Sequence, residues 1–221
     1  MARTEDVPQA TIRDWITTER RELAAVLLGL PEERWDEATL CAGWRVREVV
    51  AHMTMQYRYS TPHWLFELAK SGFRMNRMLD RRARHDTGVV PYGALAALLR
   101  DNAEHPWKPP GGGYEGALTH DVVHGLDFAV PLGIERRVAE APLRAVLTGL
   151  ASAKGLKWFG VDLDGVALRA DDIEWSFGSG APMTGAAQDM VMVLTGRLLP
   201  PGRLSGEPAA HYTAAVSPGT A

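Results

Sequence analysis

Between residues 9 and 133 the chain is a succession of apolar stripes at helical spacing, each closed by proline or glycine. Short amphipathic helices of this kind must bury their stripes against one another, so the pattern predicts an antiparallel helical bundle. Ile12, Trp15, Ile16, Leu23, Val26, Leu27 and Leu30 mark a helix over 9–30, which Pro31 ends. After a connection through Trp35–Gly43, Val46, Val49, Val50 and Met53 fall at i, i+3, i+4 and i+7 and predict a second helix over 45–58. Further helices are expected over 62–84, with Pro62 in the first turn, over 92–104, and over 115–130. Pro106, Pro109, Pro110 and Gly111–Gly113 force a loop before the last of these, and Pro131 and Gly133 stop it.

Beyond residue 133 the pattern changes. A helix over 142–157 precedes two short strand-like runs, Val166–Arg169 and Ile173–Phe177, joined at Asp171-Asp172. Gly178, Gly180 and Pro182 then read as a break, residues 185–198 as a helix, and 211–216 as a last strand. Ser217–Ala221 is expected to be a loose tail. The fold class is therefore α+β. A helical domain over residues 1–135 is followed by a small α+β domain over 136–221.

Composition excludes some functions. The formal charge is −3 and no basic face stands out, so nucleic acid is not an expected partner. The run Asp80–Arg84 reads as a solvated helix end. No apolar run approaches the roughly 18 residues of a membrane span, and Met1 to Gln9 lacks an apolar signal core. With Cys41 as the only cysteine, an internal disulfide and a cysteine-based metal site are both excluded, which fits a reducing cytoplasm. Cys41 itself reads as a small buried residue rather than a nucleophile, because no histidine is placed by sequence to activate it. The seven tryptophans are expected mostly in the core, with Trp44 a candidate for a pocket mouth.

The segment Thr119–Asp127 carries the chemistry. On a helix, His120 and His124 stand one turn apart on one face, with Cβ atoms roughly 6 Å apart, a spacing that lets two imidazoles converge on one metal. Asp127 shares that face and is placed either to orient a ligating histidine or to take the fourth coordination position. His52, roughly 60° off the apolar stripe of its own helix, is the third candidate. Three neutral imidazoles and one open position describe a catalytic divalent site, with zinc the expected ion. The competing reading is three ordinary buried histidines. His63, His85, His105 and His211 are expected at the surface or in loops.

These same residues resemble a known family. Leu40–Met53, with the run Cys41-Ala42-Gly43-Trp44-Arg45, resembles the signature of the mycothiol-dependent maleylpyruvate isomerase family, whose N-terminal domain is one of the DinB-like metal-binding bundles. In that resemblance His52 matches the first metal ligand, and Val122–Asp127 resembles a second motif in which His124 matches another. Where the family's isomerase has a glutamate this chain has His120, which is nearer the three-histidine pattern of DinB-like thiol transferases. The likeness continues through Leu168–Gly178, Gly185–Met190 and Leu194–Arg197, which are similar to the family's small sterol-carrier-like C-terminal domain, and it spans most of residues 10–207.

The resemblance implies a low-molecular-weight thiol cosubstrate, mycothiol, and a small electrophilic substrate that is either conjugated or isomerised. Asp127 would be an orienting residue, and Arg197, which matches the arginine of a Gly-Arg motif, would bind a carboxylate as a forked donor. Two rival functions use the same residues: a hydrolase with bound water as nucleophile, and a non-catalytic metal-containing module that binds a small molecule. A monomer or a weak homodimer fits either.

Overall fold

The computed structural model describes residues 7–215. The chain divides into two compact units, one spanning Pro8–Ile134 and the other beginning at Glu135. The first is all helical: α1 (Gln9–Leu28), α2 (Val46–Met53), α3 (Met55–Arg58), α4 (Thr61–Lys70), α5 (Met75–Thr87), α6 (Tyr92–Asp101) and α7 (Gly113–Ala129). The second holds α8 (Glu140–Leu150), α9 (Ala153–Phe159), strands β1 (Val166–Ala170), β2 (Ser176–Gly178) and β3 (Ala181–Gly185), and α10 (Ala187–Leu194). The architecture is thus α+β. No helix among the described residues is long and apolar enough to cross a membrane.

In the helical unit α1 packs on α6 and α7, and α2 packs on α5, α6 and α7. Helix α7 is the central element. It buries Ala117, Leu118, Val122, Val123, Leu126, Phe128 and Ala129, and also Asp121 and Asp127. Leu23, Leu27, Val46, Val49, Val50, Met53, Leu95, Leu99 and Phe128 form one continuous core around Trp35. The start of α2 is fixed by Glu48, whose buried carboxylate accepts from the Arg45 backbone N–H at 2.9 Å and from the Arg45 guanidinium. Burial alone would raise the Glu48 pKa, but these bonds hold it below the usual carboxylate value.

Several sequence expectations need correction. The helix expected over 45–58 is interrupted at Thr54, whose hydroxyl donates back to the Val50 carbonyl at 2.9 Å and ends α2. The helix expected over 62–84 is two helices, because the chain turns through Gly72 and Phe73 with both φ angles positive (64° and 57°). The helix over 142–157 likewise breaks between α8 and α9, where Ser152 caps α9 by accepting from the Gly155 N–H. The segment 211–216, expected as a strand, carries the end of a 3₁₀ turn over Glu207–Tyr212 and one bridge from Thr213 to Leu199; residue 216 and the tail 217–221 lie outside the described residues.

The break expected at Gly178–Pro182 contains β3, and β2 is shorter and later than the run Ile173–Phe177. The sheet order is β2-β1-β3, with β1 antiparallel to β2 and parallel to β3. Pro182 sits opposite Ala167 in β3, which pairs only with β1 within the sheet, so its missing N–H leaves no ladder bond unmade on the outer side. The tryptophans also depart from expectation: Trp35 and Trp175 are buried, whereas Trp158 is 78% exposed and the others are partly exposed.

Candidate metal centre

Helix α7 begins just after a loop that folds back on it. A Cβ at Gly116 would lie 2.9 Å from the Pro109 ring, so glycine lets the proline-rich segment lie against the helix. That loop sets Trp107 against His120, with ring centroids 5.1 Å apart. On the other side Trp44 lies 5.3 Å from the His52 ring, and its indole Nε1–H donates to Asp80 at 2.8 Å. The 38–45 connection is tied to α7 through the Leu40 N–H, which donates to the Asp127 carbonyl at 2.9 Å. Two indoles thus flank the space that the central helix faces.

The structure brings His52, His120 and His124 together there. Their ring centroids are 4.7–5.1 Å apart, and one ligand atom from each lies within 4.8 Å of the others. His52 Nε2 and His120 Nε2 are 3.2 Å apart. Two imidazoles that share a tetrahedral ion at 2.0–2.1 Å would be separated by about 3.3 Å. Ordinary core histidines satisfy both ring nitrogens, but His52 Nδ1 is buried without a hydrogen-bond partner. Burial, together with the nearby His124 and His120, pushes the His52 pKa well below its usual value, so its imidazole stays neutral, the form that ligates metal.

The other two rings are braced from behind. The Asp127 carboxylate accepts from His124 Nδ1–H at 2.9 Å, and the Asp121 carboxylate accepts from His120 Nδ1–H at 2.8 Å. Both carboxylates are wholly buried, whereas the two imidazoles keep 12–13% exposure, a narrow opening to solvent. Asp121 also accepts from Arg20 Nε–H at 2.7 Å, and the Arg20 side chain is wholly buried as well. Burial would raise the Asp121 pKa, but the His120 bond and the Arg20 charge keep it below the usual carboxylate range. Arg20 Nη1 donates to the carbonyls of His105 and Ala103, and its guanidinium lies 5.7 Å from the Tyr57 ring centroid.

Of the residues singled out by sequence, Asp127 stands behind His124 rather than among the converging nitrogens. Arg197 lies in the second unit, just after α10, where its Nη1 donates to the Thr195 carbonyl at 2.9 Å. Sequence reasoning missed Asp121, Arg20 and Trp107. Asp121 neighbours His120 in the chain, and adjacent helix positions point about 100° apart, so helical spacing gave no reason to pair them. Arg20 and Trp107 come from other elements, and their place beside the site has no local signal.

Residues 16–105 match the family model of the mycothiol maleylpyruvate isomerase N-terminal domain, a range that contains His52 and ends before His120. No curated protein matches the chain. The crystal structure of the mycothiol-dependent maleylpyruvate isomerase is similar at a TM-score of 0.52 and 15% identity, over 95% of this chain and 97% of that one. The crystal structure of the H52A mutant of the mycothiol-dependent maleylpyruvate isomerase gives a TM-score of 0.50 at 14% identity over the same shares. At these identities the likeness is one of fold.

Proposed function

We propose, from the match of residues 16–105 to the mycothiol maleylpyruvate isomerase N-terminal domain, that this chain is a metal-dependent enzyme acting on a low-molecular-weight thiol and a small electrophile. The observation that carries the proposal is the cluster of three imidazole nitrogens, two of whose rings are held by buried carboxylates. His52, His120 and His124 would hold one divalent ion, for which zinc suits an all-imidazole set. When bound, such an ion makes a thiol that reaches its open position more acidic, and so more nucleophilic at neutral pH.

The chain's own residues do the rest. Asp121 and Asp127 hold the Nδ1 protons of His120 and His124, which leaves each Nε2 lone pair directed away from the brace. Trp44 and Trp107 wall the site and limit water around the thiol. Mycothiol is the cosubstrate the family points to. Thiol transfer is favoured over isomerisation, because in the resemblance of this segment to the family's second motif His120 falls where the family's isomerase has a glutamate.

The bracing gives a direct prediction. Asp127→Ala leaves His124 Nδ1 without its acceptor, and zinc affinity should fall by roughly 10–100-fold, read by competition with a chromophoric chelator. Unchanged affinity would remove Asp127 from the site.

The function itself is tested by a thermal-shift screen of small thiols on zinc-loaded protein, followed by conjugation of a generic electrophile. A thiol at a hundred times its Kd should stabilise the protein by about 2.7 kcal/mol, and chelation should abolish the effect. Turnover of an ester or amide with no thiol present would instead select the hydrolytic reading, and binding without turnover the non-catalytic one.

A further inference from the structure

We propose that Arg20 is a positioning residue for this site: acting through Asp121, it fixes the proton of His120 on Nδ1 and so keeps the Nε2 lone pair turned toward the other two histidines. The inference rests on the metal-site reading for its purpose, though not for its geometry.

The two oxygens of Asp121 are divided. Oδ2 lies 2.7 Å from Arg20 Nε, and Oδ1 lies 2.8 Å from His120 Nδ1. Both side chains of the ion pair have no solvent exposure. A guanidinium in that position stays charged and cannot be left unpaired, so its partner stays a carboxylate, which only accepts hydrogen bonds. His120 Nδ1 must then carry the hydrogen. An isolated neutral imidazole in water favours the opposite tautomer, with its proton on Nε2, which would cap the nitrogen nearest His52.

Arg20 is itself held in place. Its Nη1 bonds to the carbonyls of Ala103 and His105, so the turn after α6 fixes the guanidinium that fixes the carboxylate. The chain of contacts therefore runs from α1 through α7 to His120. Asp127 and His124 have a bracing bond of their own.

A purely structural role for the pair would be to pin α1 against α7, so the test must read something besides stability. The Arg20→Met/Asp121→Leu double variant replaces both charges with apolar groups of similar size, a change that buried ion pairs often tolerate without loss of fold. Imidazole ¹⁵N shifts, measured on metal-free protein at mildly alkaline pH, report the tautomer of His120. Nδ1–H is expected in the wild type and in Arg20→Lys, which keeps the charge, and mostly Nε2–H in the double variant. Zinc affinity of the double variant should fall by roughly 10–100-fold. A wild-type His120 protonated on Nε2, or a double variant that binds zinc as tightly as wild type, overturns the proposal. A wild type with the expected tautomer that holds no zinc supports the bracing and refutes the metal reading instead.

Discussion

Arg20→Ala should lower stability by about 3–5 kcal/mol, the cost typical of breaking one partner out of a buried ion pair. The physical reason is the Asp121 carboxylate. With no exposure and no guanidinium at 2.7 Å, it would remain as an uncompensated charge inside the bundle, or take up a proton and lose its grip on His120. The carbonyls of Ala103 and His105 would lose their donor as well. For a domain pair of this size each kcal/mol moves the melting temperature by roughly 2–4 °C, so the shift should be on the order of 10 °C. The Arg20→Met/Asp121→Leu double variant should recover most of that loss, since no charge is then stranded. Equal destabilisation of both variants would mean that packing, not charge, dominates there.

On the proposed reading His52→Ala removes a ligand outright, so it should reduce zinc affinity by more than the roughly 10–100-fold that loss of an outer hydrogen-bond partner costs. It is also the cleaner of the ligand variants. His124→Ala would remove the hydrogen bond between its ring and the buried Asp127 carboxylate, whereas His52 Nδ1 has no hydrogen bond to lose. Metal-free His52→Ala should therefore melt closer to metal-free wild type than His124→Ala does. Chelator competition gives the affinities and calorimetry the melting points. Wild-type affinity in His52→Ala would show that α2 takes no part in holding the ion.

How much of this was written in the chain differs from element to element. The stripe Val46, Val49, Val50 and Met53 was legible because all four side chains meet the core and nothing else competes for them. The helix carrying Thr119–Asp127 was legible for the same reason. The turn at Gly72-Phe73 was not, since a phenylalanine with positive φ contradicts the usual preference; its side chain is largely exposed, and the turn is closed by backbone bonds from the Gly72 and Phe73 N–H groups to the Ala69 and Leu68 carbonyls. Strand β3 was hidden by Pro182, a residue that argues against a strand unless the strand is known to lie at an edge.

The site divides along the same line. His120 and His124 are related by helical spacing, a purely local signal, and Asp127 lies on the same face. His52 enters from another helix, and its meeting with them depends on how α2 packs on α7. The polar support beneath, Asp121 with Arg20, and the indole of Trp107 depend wholly on tertiary contacts. Sequence thus points first to groups that repeat along one helix, and last to the groups that hold them in place.

The metal content of the purified wild-type protein, after zinc loading and exhaustive dialysis, bears most directly on whether the three imidazoles serve one ion. The account predicts one equivalent of zinc per folded chain, and none retained by His52→Ala. A wild-type protein that is folded by calorimetry yet retains no zinc at neutral pH would contradict it.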